Sequence, residues 1–461
     1  MKQKNSAGTP APDPAPGSDS EEFRKEGPRS RFSHAWRALR HPNFRLYFVG
    51  QSISLVGTWI TRIATSWLVY RLTGSAFLLG VVGFAGQIPT FLLAPFAGVL
   101  VERMNRRQLL VWTQVLAALQ SLLLAVLTLT KVITIHEVIA LSAFQGLINA
   151  FDMPARQSFL VQMVSVEGDK PNKSDLSNAI ALNSSIVNLA RLVGPAMAGL
   201  IIAAVGEGWC FLIDGVSYIA VVASLLMMRL THRAVERPTT SLLEQLQEGW
   251  VYVIGFRPIR TILLLFALMS LMGMPFMVLM PVFAAEVLHG GPHTLGFLTG
   301  ASGVGALLSA ISLAMRKTVR GLTTMIQISA FLFGAGLVCF GLSRSLALSL
   351  LLMFVTGFGM MQGLGASNTV IQTLVTDDKR GRVMSYYTMA FVGMTPFGSL
   401  LAGTLAHRFG APHTVIFTGT ACLIGGVWFS TQLRAVRRDM RPIYEEMGIV
   451  SPKIPQPLSP R

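Results

Sequence analysis

Charge is what this sequence has least of. Asp, Glu, Lys and Arg supply only 13% of its 461 residues, about half the share found in an average soluble domain, and that scarcity excludes water as the main solvent of the folded chain. Cysteine is nearly missing too. Cys210, Cys339 and Cys422 are the only three, each alone in an apolar segment, with no C-x-x-C pair and no histidine at metal-ligand spacing. They read as small core residues, and no metal or other cofactor is expected. A G-x-x-x-x-G-K-[ST] phosphate loop is absent, which excludes a nucleotide-driven pump. H-E-x-x-H and G-x-S-x-G are absent as well, and His136-Glu137 stands alone in a connecting segment, so a membrane enzyme has no chemistry to run on. The chain also opens without an apolar h-region. Residues 1–35, rich in Pro, Ser, Ala, Glu and Lys, read as a disordered tail that stays in the cytoplasm.

What is present is apolar sequence in blocks. Hydrophobic residues make up 52% of the chain and its mean hydropathy is +0.54. The blocks are roughly twenty residues or longer, the length needed to cross about 30 Å of hydrocarbon as helix, and backbone inside hydrocarbon must satisfy its own hydrogen bonds. They fall at 46–70, 77–101, 108–130, 137–163, 177–204 and 209–229, then 261–286, 294–315, 322–341, 346–374, 383–406 and 413–433. The expected fold is therefore an all-α membrane protein of twelve transmembrane helices. Residues 36–229 and 261–433 form two six-helix halves. A linker, 230–260, contains the amphipathic stretch Ser241-Leu-Leu-Glu-Gln-Leu-Gln-Glu-Gly-Trp250, and 434–461 form a second cytoplasmic tail. The basic, amphipathic segment Phe32 to Arg45 suits a helix lying on the membrane surface.

A net charge of +16 and a pI near 10.4 raise nucleic acid as a partner, but the basic residues do not gather into one stripe. They sit in the short gaps between blocks. With the N-terminus inside, the even gaps hold Arg103, Arg106 and Arg107; Lys170 and Lys173; Arg229, Arg233, Arg237 and Arg257; Arg316, Lys317 and Arg320; and Lys379, Arg380 and Arg382. The odd gaps hold little beyond Arg71, Lys131, Arg344 and Arg408. This positive-inside bias predicts a multi-pass protein of the cell inner membrane with both termini cytoplasmic. Its partners are then a lipid bilayer and a small molecule, with no nucleic acid.

The halves repeat one another. Gln145-Gly146-Leu recurs as Gln362-Gly363-Leu, Leu160-Val-Gln162 resembles Val370-Ile-Gln372, and Ala198-Gly199 with Gly206 recurs as Ala402-Gly403 with Gly410. Parallel repeats of six helices are one transporter architecture, with substrate held between the halves near the midplane.

Three sequence elements carry a family resemblance that runs from about Arg40 to Gln432. Gly98-Val-Leu-Val-Glu102-Arg103-Met-Asn-Arg106-Arg107 is similar to the G-x-L-a-D-R-x-G-R-K loop of the major facilitator superfamily, with Glu102 for the usual Asp and Asn105 for the Gly. The resemblance implies a charge latch that gates the outward-facing state, using Gly98, Glu102, Arg103, Arg106 and Arg107. Arg191-Leu-Val-Gly194-Pro195-Ala-Met-Ala198-Gly199 resembles the G-P-x-x-G-G element of exporters in that superfamily. Pro195 removes a backbone donor and Gly194 and Gly199 admit close neighbours, so a helix bend is expected there. Phe151-Asp152-Met-Pro154-Ala-Arg156-Gln157, with Gly57-Thr-Trp59-Ile-Thr-Arg62, is similar to the subfamily that includes enterobactin and macrolide exporters. The resemblance implies a proton-coupled antiporter, usually monomeric, that expels siderophore- or drug-like compounds. One departure matters: Ser142 stands where many proton-coupled exporters carry an arginine.

Polar residues inside the blocks recur at helical spacing. Gln145, Asn149, Asp152 and Arg156 line one face of the fourth helix; Ser184, Asn188 and Arg191 one face of the fifth; Gln51, Thr58, Arg62 and Thr65 one face of the first. Charges in hydrocarbon are costly and mark function, so these stripes predict a wet cavity. Arg62, Arg156 and Arg191, opposed by Asp152 alone, favour anionic or strongly hydrogen-bonding substrates, although Asp152 and Arg156 also fit a structural i,i+4 pair. Asp152 is the candidate proton carrier. Asp214 and Glu286 are expected near outer helix ends, solvated or paired. The second half offers methionines instead, Met269, Met272, Met274, Met277 and Met280 in the seventh helix and Met353, Met360 and Met361 in the tenth, which can repack around apolar ligands. Met361, Gln362 and Tyr386 are placed in the cavity with Trp59, and Pro275 and Pro281 should bend the seventh helix. The expected function is a secondary active exporter. A proton symporter importing a small anionic metabolite is the alternative, and a non-transporting membrane enzyme or scaffold a remote one.

Overall fold

The computed structural model describes residues 36–164, 173–228, 242–316 and 318–450. The tail 1–35, most of the linker before its helix, and Lys170, Arg229, Arg233, Arg237 and Lys317 lie outside them. Among the described residues every regular element is helical. The long helices are α1 (Pro42–Thr73), α2 (Ala76–Arg103), α3 (Arg106–Leu129), α4 (Ile135–Val164), α5 (Lys173–Val205) and α6 (Glu207–Met227). A linker helix, Leu242–Gly255, precedes α7 (Arg257–Val287), α8 (Pro292–Ala314), α9 (Leu322–Leu342), α10 (Leu346–Leu374), α11 (Asp377–Phe391 and Thr395–Phe409) and α12 (Ala411–Glu446). Eleven of them, α2 to α12, are long and apolar enough to cross a membrane. The remaining helix, α1, has 32 residues, about 48 Å at 1.5 Å per residue; Gln51, Ser52, Thr58, Thr61 and Arg62 dilute its apolarity.

Local chemistry sets the helix ends. The Ser75 hydroxyl accepts from the Leu78 amide at 3.3 Å and opens α2. Asn105, the residue that departs from the family's loop glycine, caps α3 by accepting from the amides of Arg107 and Gln108 at 3.1 and 3.2 Å, a use for which Asn suits as well as any residue. Gly206 and Gly410 begin α6 and α12 with φ of +91° and +82°, a conformation that a side chain would strain. Their matching positions carry the sequence repeat into the backbone.

The repeat also governs packing. In the first half α1 packs on α5 and α6, α2 on α4, and α3 on α4 and α6; in the second α7 packs on α11 and α12, α8 on α10, and α9 on α10 and α12. The halves meet where α5 crosses α8 and α2 crosses α11. Both crossings use the repeated Ala-Gly. A Cβ on Gly199 would lie 2.7 Å from the Pro292 carbonyl and 3.0 Å from Gly296 Cα, and one on Gly403 would lie 2.8 Å from Gly80 Cα. Small residues are what permit such backbone contact.

The outer surface is apolar. On α3, Trp112, Leu116, Leu119, Leu123 and Val126 form an exposed stripe, whereas Thr113, Gln114, Gln120 and Ser121 are buried. A helix that turns oils outward and polar groups inward has lipid as its solvent, so the chain is a multi-pass membrane protein. Cys210 and Cys422 are buried as expected, while Cys339 lies exposed on α9. Two helices depart from regularity. In α7, π-helical turns span Met269–Gly273 and Phe283–Val287, flanking Pro275 and Pro281, where the missing amides break the ladder. In α11 the helix is interrupted at Val392–Met394. α12 does not stop at the end of its apolar block but continues to Glu446, with Val436, Met440 and Tyr444 buried.

Candidate functional site

The face carrying both ends of the described chain is here the terminal face, and its opposite the distal face. The closest approaches between the halves lie toward the distal face. They are Gly80 with Gly403, Gly199 with Gly296, and the Tyr70 hydroxyl donating to Glu286 of α7 at 2.9 Å. Nearer the middle, Gly303 of α8 meets Arg191 and Leu192, and Phe91 of α2 meets Gly393 and, edge-on at 5.5 Å, Phe397 of α11. The contacts that join the halves among the described residues thus lie on the distal side and near the middle.

A cationic cluster sits on this seam. The Arg62 guanidinium lies 4.7 Å from the centre of the Trp59 ring and that of Arg191 5.4 Å from it. Gly194 makes room for the ring, since a Cβ there would fall 2.4 Å from that of Trp59. Arg62 has an accessible side chain on α1, one of the long helices. Arg191 Nε and Nη1 are buried with no hydrogen-bond partner. Among the described residues neither guanidinium makes an ion pair, so two like charges share one aromatic ring with no described carboxylate against either. An arrangement of that kind recruits an anion or a strong acceptor. One turn before Arg191, Asn188 donates to the Ser184 carbonyl at 2.9 Å and leaves its own Oδ1 unpartnered.

Asp152 and Arg156 are placed differently from the cavity expected for them. Asp152 is buried toward α3: its Oδ1 accepts from Thr113 at 2.9 Å and Gln114 at 2.7 Å, and its Oδ2 from Arg156 at 2.5 and 3.1 Å. Arg156 also lies against Tyr47, whose hydroxyl donates to Asn183 at 3.4 Å. Gln114 and Arg156 each donate to this carboxylate with a proton of their own, while the Thr113 hydroxyl also reaches the Leu110 carbonyl at 2.9 Å; the Arg156 contact is the i,i+4 pair. Two turns nearer the distal face, Gln145 donates to Asn149 at 3.2 Å and keeps a buried, unpartnered Oε1.

The second half brings fewer of its candidates to the seam. Gln362 is buried inside that half, accepting from Ser309 at 2.7 Å and pointing its amide at Met325. Tyr386 packs at a tilt against Trp250 of the linker helix, ring centres 5.8 Å apart, beside an ion pair of Arg382 with Glu248 and Lys379 over the Tyr252 ring at 4.9 Å. It fastens the linker to α11. Met361 is half-buried; Met269, Met280 and Met353 are core.

Of the expected latch, Arg107 donates to the carbonyls of Leu225 and Leu226 at 2.7 and 2.6 Å, capping the C-terminus of α6, and Arg106 has a buried Nε without a partner. Glu102 and Arg103 lie on the last turn of α2, and their side chains, with Gly98, fall outside what is described. α5 stays helical through Gly194 and Pro195 to Val205, and Gly194 and Gly199 there lie against Trp59 and α8.

Sequence reasoning placed Asp214 at an outer helix end, and the structure corrects that. It is 2% exposed, between α1, α3 and α6, and Glu286 is the carboxylate held at the distal face, by Tyr70. The available signal was its setting, Cys210-Phe-Leu-Ile-Asp214-Gly-Val, where no polar neighbour excuses a charge. Among the described residues no three His, Cys, Asp or Glu gather where a metal could bind.

Two parallel six-helix repeats meeting over a polar seam define a secondary transporter of the major facilitator fold. The sequence matches the major facilitator family described as transmembrane secretion effector over residues 33–455, and the chain belongs to that family. It is 28% identical over 382 residues to the staphyloferrin A transporter of Staphylococcus aureus, covering 82% of this chain and 94% of that protein. It is 26% identical to the multidrug efflux pump Tap of Mycolicibacterium fortuitum, covering 80% and 91%, and 21% identical to macrolide efflux protein A of Streptococcus pyogenes, covering 83% and 94%. Among solved structures, a bacterial homologue of the iron transporter ferroportin in its inward-facing state superposes with a TM-score of 0.67 at 17% identity, covering 85% of this chain and 98% of that one.

Proposed function

We propose that the protein is a proton-coupled exporter that expels small amphipathic compounds, siderophore- or drug-like, through the cell inner membrane by alternating access. It works as a monomer, with α1 as a twelfth span and both termini in the cytoplasm, so the described state is inward-facing. The observation that carries the substrate class is the Arg62–Trp59–Arg191 cluster. Two unneutralised guanidinium groups supply charge for carboxylate, catecholate or other strong acceptor groups, and the indole supplies a flat apolar face for the rest of the molecule. The names of the relatives, a siderophore transporter and two efflux pumps, support the same class. Asp152, expected as the proton carrier, is assigned here to holding α3 and α4 together.

Sealed inside-out vesicles with an acidic interior test this reading. Siderophore and macrolide compounds are added and proton efflux is followed with a pH dye. Efflux that depends on the compound and weakens in Arg62→Ala and Arg191→Ala supports the proposal. A panel that moves no protons yet equilibrates across the membrane would remove the coupling and leave a facilitator.

A further inference from the structure

Among the described residues Asp214 is the acid with the fewest partners for its depth, and its surroundings specify the form it takes. Its Oδ2 stands 3.1 Å from the Ser121 hydroxyl, but that oxygen also stands 3.0 Å from the Phe211 carbonyl. A hydroxyl has one proton to give and two lone pairs to receive with. If Asp214 is ionised, carboxylate and carbonyl compete for a single proton. If it is protonated, its O–H donates to Ser121 and Ser121 donates to Phe211, and each proton has its own acceptor. The other oxygen, Oδ1, is buried without a hydrogen-bond partner. Thr61 of α1 faces it, with a hydroxyl that likewise makes no well-formed hydrogen bond.

Among the described residues no cation pairs with Asp214. α1 presents Gly57, where a Cβ would come within 2.7 Å of Oδ1, and Thr61; α3 presents Ser121, with Leu122 against the neighbouring Gly215. The titratable groups nearby are Cys210 and Tyr218, one turn before and after on α6. Through Tyr218 the pocket is within electrostatic reach of the Asp152–Arg156 pair, with Thr58 alongside. Of the α1 arginines the nearest in sequence, Arg62, is turned to Trp59, and Arg71 pairs with Glu207 at the distal end of the helix. A buried carboxyl without a counter-charge is neutral in preference to ionised.

We propose that Asp214 is a protonation site of this transporter, coupled to the substrate seam through the segment Gly57–Arg62 of α1. Gly57 and Thr61, four residues apart, form the face against Asp214, while Trp59 and Arg62, three apart, form the face toward the seam. One turn and a half of helix therefore touches both. When substrate engages Trp59 and Arg62, a shift of α1 opens the Asp214 pocket; its O–H bond breaks, the proton passes to entering water and the carboxylate is left hydrated. Reprotonation from water reverses the step when α1 reseats. This inference rests on the proton-coupled reading above, and its test separates the two.

Infrared difference spectroscopy on the purified full chain reads the carbonyl stretch of a protonated carboxyl without any substrate. Wild type at neutral pH is expected to show a band that is lost in Asp214→Asn and shifted in Ser121→Ala and Asp214→Glu. In proteoliposomes, Asp214→Asn is expected to keep exchange of a radiolabelled macrolide in the absence of a gradient. It should lose about tenfold in pH-driven accumulation, the size of an ordinary coupling between sites. A wild-type spectrum without a band assignable to Asp214 overturns the proposal, and so does a variant that still accumulates the macrolide with unchanged proton movement. If the wild type exchanges no macrolide, the substrate class fails and the infrared band alone decides the question for Asp214.

Discussion

The two halves share a packing plan and divide the chemistry. The first half keeps its helices regular and carries the charge: Asp152 buried with Arg156, Asp214 buried alone, and Arg62 and Arg191 on the seam. In the second no charged residue is buried among the described ones and the polar core is neutral, as with Gln362 on Ser309; the irregularity lies in the backbone, in the π-helical turns of α7 and the interruption of α11. Duplication supplies symmetry of contact, and rocking about the α2–α11 and α5–α8 crossings needs only that. Binding and proton chemistry need fixed groups, which a regular helix holds well; a bending element can be left apolar, because its freed backbone groups already carry the polarity that lipid tolerates least.

If that division holds, truncating a buried polar centre should cost more in the first half than in the second. Asp152→Ala leaves Arg156 buried without its partner and should cost about 3–5 kcal/mol of stability, read as a loss in the thermal or denaturant midpoint in detergent. Gln362→Ala strands only the neutral Ser309 hydroxyl and should cost about 1–3 kcal/mol. Equal losses would erase the contrast. On the seam, Arg191→Ala should weaken binding of an anionic test compound by about 1.5–3 kcal/mol, the worth of a hydrogen bond to a charged group. A neutral analogue should be affected far less, and isothermal titration in detergent separates the two.

Smaller effects sharpen the comparison. Gly403→Ala puts a methyl against Gly80 and should cost about 1–3 kcal/mol by overpacking, but only in the state closed at the distal face. Spin labels placed across that face should then report a population moved toward distal opening. Met277→Leu conserves volume on a half-buried position of α7 and should change stability by less than about 1.5 kcal/mol. A larger loss would show that α7 depends on side-chain shape, against its description as the adaptable half.

Much of this was legible in the residues. Blocks of twenty apolar residues fix helices by the demand for internal hydrogen bonding, and Gly206 and Gly410 marked the repeat before any packing was known. Pro275 and Pro281 announced the irregular α7. The seam cluster was half legible: Trp59, Arg62 and Arg191 share helical faces, but which face meets the other half depends on crossings that spacing does not encode. For that reason Gln362 and Tyr386, polar and well spaced, turn to Ser309 and to the linker helix. Asp214 was misjudged because distance from a block's end is a poor guide to depth when helices differ in length and tilt.

The last helix has a mechanical consequence. With 36 residues, α12 is about 54 Å long, and beyond the apolar block Arg437 ties it to Thr323 and Thr324 at the start of α9 at 3.3 and 2.6 Å. It is therefore a lever arm fixed to the second half. Rotation of that half by a few degrees is magnified at Glu446 into a displacement of several ångströms, so a fluorophore attached there, far from substrate and proton alike, would serve as a pointer for the transport cycle.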